Sequence, residues 1–110
     1  MLEIKSNNEI QLTRGDTARL SVLIQNEETK ALYEMDPEDE LQFIIRGGCK
    51  GSDPLLKKSV LGGNEIKLHP EDTANLPCGR YCYDVKLNMK TGDVYTVIED
   101  KRIVLSGGAA

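Results

Sequence analysis

The stretch from Leu68 to Val85 constrains the fold of this chain more than any other. It reads Leu68-His69-Pro70-Glu71-Asp72-Thr73-Ala74-Asn75-Leu76-Pro77-Cys78-Gly79-Arg80-Tyr81-Cys82-Tyr83-Asp84-Val85. An apolar run ends at Leu68, a tight polar turn follows, and Gly79-x-Tyr81 opens a long alternating strand. A tyrosine at the mouth of a strand, behind a Pro/Asp/Gly corner, fixes the crossing of a chain from one sheet to another. Its hydroxyl bonds to backbone a few residues upstream. Tyr81, Gly79 and Asp72 are the residues this reading assigns to the corner.

The rest of the chain reads as short strands between polar turns. Glu9 to Thr13 alternates, Arg14-Gly15-Asp16 turns, and Thr17 to Gln25 puts Ala18, Leu20, Val22 and Ile24 on one face. Met35 to Asp39 is a turn set by Pro37. Glu40 to Arg46 points Leu41, Phe43 and Ile45 inward, and residues 47 to 54 form a loop. Leu55 to Leu61 and Asn64 to Leu68 flank Gly62-Gly63, the spacing of a two-residue hairpin. Pro70 to Leu76 forms one helical turn, with Pro70 at its start and Glu71 and Asp72 at its positive end. Tyr81 to Met89 alternates, Lys90-Thr91-Gly92-Asp93 turns, and Val94 to Leu105 returns with a break expected at Glu99-Asp100-Lys101. Seven or eight strands with almost no helical periodicity predict an all-β chain, and the corner makes it an immunoglobulin-like antiparallel β-sandwich. The expected organisation is a single domain over residues 1–105 and a flexible tail over 106–110.

Charge and cysteine usage narrow the function classes. The 14 Lys and Arg are scattered and the net charge is −4, so there is no basic footprint for nucleic acid. No 18-residue apolar run is present, and the polar first nine residues hold no signal-peptide core, so neither membrane insertion nor export is expected. Cys49, Cys78 and Cys82 are an odd number, which reads as free thiols inside a cell.

The candidate chemical sites resolve into ordinary ones. Cys49, Cys78, Cys82 and His69 match a Cys₃His zinc site in number but not in spacing. An extended strand also holds Cys78 and Cys82 about 13 Å apart, too far for a disulfide. His69 has no assignable acid or nucleophile beside it. Gly47-Gly48-Cys49-Lys50-Gly51-Ser52 places its lysine before the last glycine, unlike a phosphate loop, and Asp53-Pro54 blocks the following helix. Glu34, Asp36, Glu38, Asp39 and Glu40 are acidic but lack the calcium-loop pattern. Arg14-Gly15-Asp16 spells an adhesion tripeptide but reads as turn chemistry. No reaction, metal or cofactor is expected.

The order of these motifs carries a resemblance. Ile10-x-Leu12-Thr13-Arg14-Gly15-Asp16-Thr17 opens it. Leu68-x-Pro70-Glu71-Asp72-Thr73-Ala74-Asn75-Leu76-Pro77-x-Gly79-x-Tyr81-x-Tyr83-Asp84-Val85-x-Leu87 continues it, and Gly92-Asp93-Val94-Tyr95-Thr96-Val97-Ile98 completes it. Together they resemble the N-terminal Ig-like domain of baseplate upper proteins, and small prophage tail proteins, from phages of Gram-positive bacteria. Residues 26–53 depart most, as do His69, Cys78 and Cys82. The resemblance implies a virion structural protein with other tail or baseplate proteins as partners, or further copies of itself. It implies assembly in the bacterial cytoplasm and residence in the tail. Loop exposure nominates Asp36, Glu38, Asp39, Gly48 and Lys50 as contact positions. The alternative is a carbohydrate-binding β-sandwich for host-surface recognition, with Tyr33 and Tyr95 as its exposed rings.

Overall fold

The computed structural model describes residues 9–24, 29, 31–48 and 53–107, together with the backbone of residues 2–4. The chain is mostly β. Its elements are β1 (Leu2–Ile4), β2 (Ile10–Thr13), β3 (Ala18–Ser21), β4 (Glu40–Arg46), β5 (Pro54–Leu61), β6 (Glu65–Leu68), α1 (Pro70–Ala74), β7 (Gly79–Asn88) and β8 (Val94–Ser106). A six-stranded sheet runs β1-β2-β8-β7-β4-β5, and β3 and β6 form a second, two-stranded sheet.

Alternation builds the core. Leu41, Phe43 and Ile45 of β4 and Tyr81, Tyr83, Val85 and Leu87 of β7 face one way. They meet Leu20 of β3, Ile66 and Leu68 of β6, and Ile103 and Leu105 of β8 in one cluster. A buried aliphatic or Phe side chain of this kind contributes roughly 1.5–3 kcal/mol. Phe43 and Tyr83 pack with ring centroids 5.3 Å apart. β7 is buried on its other face too, at Cys82 and Asp84.

The structure departs from the expected layout in two places. The large sheet is mixed rather than antiparallel throughout, because β2 pairs parallel with β8, Ile10 opposite Ile103. Parallel neighbours need a long connection, and nearly the whole chain lies between these two. Gly62-Gly63 is not a hairpin turn. β5 pairs with β4 and β6 pairs with β3, so the glycine pair carries the chain from one sheet to the other. Gly62 has φ +73°, and a Cβ there would lie 3.0 Å from the Pro37 carbonyl oxygen. Two independent constraints thus require glycine at this position.

The corner sits where β6 passes through α1 into β7. The Tyr81 hydroxyl donates to the Pro77 carbonyl oxygen, four residues upstream, at 2.5 Å. Gly79 has φ +152°, and a Cβ added there would meet nothing within 4 Å, so only the backbone conformation selects glycine. Asp72 does not touch Tyr81. Its Oδ2 accepts the His69 backbone N–H at 2.7 Å and pairs with Lys58 Nζ at 3.0 Å, capping α1 and tying it to β5. Thr73 is buried, and its Oγ1 accepts the Gly15 N–H at 2.9 Å. Arg14 donates to the Leu76 carbonyl at 3.3 Å. The Arg14-Gly15-Asp16 turn is therefore packed on α1.

Tyr81→Phe should lower stability by about 1 kcal/mol, the usual net worth of such a bond. Gly79→Val should cost about 1–3 kcal/mol through backbone strain alone. Urea denaturation of both variants checks this; an unchanged midpoint for either would contradict the corner geometry.

Candidate functional site

The acidic loop is a knot, not a solvated charge cluster. Asp39 is fully buried. Its Oδ2 accepts the Tyr33 hydroxyl and the Asp36 N–H, and its Oδ1 accepts the Lys90 N–H at 2.9 Å. Its carbonyl accepts the Gly62 N–H at 2.8 Å. One residue thereby fastens the loop before β4, the β7–β8 turn and the crossing between sheets at one end of the molecule. Asp36 caps the turn by accepting the Glu38 N–H at 3.0 Å and pairs with Lys90 Nζ at 2.8 Å. Glu38 is exposed, as is Glu34.

The titrations follow from these bonds. The Tyr33 hydroxyl donating to Asp39, with the Lys90 and Asp36 amides, holds the Asp39 carboxyl below its ordinary 3.8. The same bond, with burial and the nearby carboxylates, pushes Tyr33 up to about 12. Asp36 is lowered by Lys90 and the Glu38 amide.

A second carboxylate organises the middle of the large sheet. Burial pushes Asp84 up, but the Asp100 N–H at 2.8 Å and Arg46 Nε at 2.8 Å outweigh it and leave its carboxyl lowered. Ten residues of β7 oppose the twelve from Val94 to Leu105, so β8 carries two extra residues, at Val97 and within Glu99–Asp100. Asp100 has φ +50°, a conformation that Asp tolerates better than most residues. The Asp84 carboxylate takes the amide this bulge turns out of the ladder. The break expected at Glu99-Asp100-Lys101 is this bulge. The roles of Arg46 and Asp84 were missed by sequence reading, and an Asp inside a strand of otherwise apolar alternation was the available signal.

Of the positions nominated for contact, Glu38 is exposed, Asp36 and Gly48 are half-buried, and Asp39 is withdrawn by its burial. Lys50 lies outside the described residues, as does Cys49. Cys78 is an exposed free thiol whose Sγ lies 3.6 Å from the Gly107 carbonyl oxygen. Cys82 is disulfide-bonded, to a partner outside the described residues. This overturns the expectation of free thiols throughout. The spacing argument excluded only a Cys78–Cys82 bridge. Among the described residues no three His, Cys, Asp or Glu side chains converge as a metal site. No helix there is long and apolar enough to cross a membrane. Of the two rings a glycan platform would use, Tyr33 has its hydroxyl bound to Asp39, and Tyr95 is 56% exposed.

The open surface lies where the two sheets part. Among the described residues, Val94–Arg102 pair with β7 alone and β3 pairs with β6 alone. Between these two edges is a cavity of about 340 Å³ lined by Leu20, Val22, Phe43, Val85, Val97 and Ile98, among others. Leu23 at its rim is 69% exposed, and Val94 and Tyr95 at the free end of β8 are 59% and 56% exposed. The geometry offers main-chain donors and acceptors beside apolar surface.

No family model, curated protein or solved structure matches this chain.

Two outcomes follow. Stability contributed by Asp39 is fully present above its ordinary 3.8 and is lost as pH falls through the lower folded value. Asp39→Asn should therefore flatten the loss of stability in acid denaturation, while Glu38→Gln stays within about 0.5 kcal/mol of wild type. Thiol titration of the unreduced, denatured chain should find one reactive thiol, and all three cysteines after reduction.

Proposed function

We propose that this chain is an immunoglobulin-like β-sandwich serving as a protein-docking module in the tail or baseplate of a phage or prophage. The sandwich reading is supported by β3 and β6 sharing one core with β8, β7 and β4. It is supported also by the tyrosine whose hydroxyl reaches back at the mouth of β7.

The observation that carries the docking reading is the uncovered edge of β8. Val94-Tyr95-Thr96-Val97-Ile98 is free of charge, β-prone and paired on one side only among the described residues. Chains that stay alone blunt such edges with charge or proline. An edge left bare is one to which a partner adds a strand, with main-chain bonds giving affinity and side-chain pockets giving specificity. The tail assignment itself rests on the motif order from Ile10 to Ile98.

The test is induction of the lysogen that encodes the chain, followed by mass spectrometry of purified tails. The chain should be present at a fixed ratio to the other tail proteins. Tyr95→Lys should leave stability within about 0.5 kcal/mol yet reduce incorporation. Complete, infective tails lacking the chain would refute the assignment.

A further inference from the structure

Cations outnumber carboxylates on the outward face of the large sheet, although the chain as a whole carries −4. The carboxylates there include Asp84 and Glu40, which accepts from Asn88 at 3.1 Å. Tyr81, Tyr83, Val85 and Leu87 point into the core, so Arg80 and Lys86 on the same strand point out. The register sets Arg102 beside Cys82 on that outer face, and Lys57 beside Ile44. From strand geometry these four cations span roughly 20 Å along the strands and roughly 14 Å across them. None of the four has an ion pair among the described residues. The carboxylate at the centre of the face, Asp84, is bound to Arg46 and to the Asp100 amide, and of the four cations Lys86 also feels its charge.

The matching surface is elsewhere on the same molecule. Glu34 and Glu38 are exposed on the loop that Asp39 ties down at the end where β7 turns into β8. That loop is fastened by five bonds at one residue, so it presents its carboxylates without first having to be ordered. An end and a face of one molecule do not reach each other, but those of two copies do.

We propose that the acidic loop carrying Glu34 and Glu38 of one copy docks on the cationic outer sheet of a second copy, a head-to-face contact that repeats from copy to copy. This rests on the docking-module reading and names the partner for a surface other than the β8 edge. A contact between unlike patches closes into a ring or extends as a filament, according to the rotation between copies. Because the chain is net negative, the contact opposes a general repulsion between copies, and its attraction is local and screened by salt.

Sedimentation velocity on the whole chain tests this at about 10 mM and about 1 M salt, where the screening length is about 30 Å and about 3 Å. The expected result is a concentration-dependent mass above 12.2 kDa at low salt that returns to the monomer at high salt. The double variants Lys57→Glu/Arg102→Glu and Glu34→Lys/Glu38→Lys should each sediment as monomers. Mixed together, they should associate again, since each then offers the other complementary charges. This rescue cannot come from unfolded variants, and unchanged far-UV circular dichroism of each checks the fold. A wild-type monomer at every salt concentration, or association that grows with salt or survives both reversals, would overturn the proposal. Tail incorporation is scored separately on purified particles, so either reading can fail while the other stands.

Discussion

Everything in this molecule is placed relative to β7. It is hydrogen-bonded along both edges, to β4 and β8, and is buried on both faces from Tyr81 to Val85. Its inward side chains meet the small sheet and set the core. Its outward Asp84 fixes how β8 runs. The strand begins at a glycine whose backbone other residues resist and at a tyrosine bonded back to Pro77. A slip of one residue would exchange Tyr83 for Asp84 in the core, which burial forbids. The register is therefore held by sequence chemistry at the start of the strand and in its middle.

The two buried aspartates do related work by different routes. Asp39 gathers amides from separate loops, and Asp84 takes the amide that a bulge turns out of its ladder. In each case a carboxylate satisfies backbone donors that the fold leaves without a partner. Both carboxyls are lowered, so both hold the ionised form that accepts these bonds. The acid loop owes its shape to charge held inside it, and Glu34 and Glu38 are its exposed carboxylates.

Much of the strand plan was legible because alternation is a strong signal where one face is buried. β4, β7 and β8 begin and end close to where their apolar periodicity does, and the Tyr81 bond lies where the corner motif puts it. What was not legible was pairing. The same Gly62-Gly63 that serves a hairpin also serves a crossing, and nothing local separates them; the close approach of Pro37 does, and it is a long-range fact. The parallel contact of β2 with β8 joins strands at opposite ends of the chain, beyond any window of periodicity. Within the candidate site, the acidic residues were visible as a cluster. That Asp39 belongs inside depends on Tyr33 and Lys90, which spacing does not bring together. Cys82 failed in the same way: distance along one strand excludes one partner and leaves the others open.

The surplus of residues in β8 over β7 limits what can be laid against the side of β8 that is unpaired among the described residues. A straight guest keeps step with β8 only until Val97, where the host gains a residue and twists more sharply. Beyond that point every further rung would be out of phase. The edge therefore accommodates a brief visitor and discourages an endless ribbon, a brake on fibre growth in a stretch whose composition would otherwise favour it.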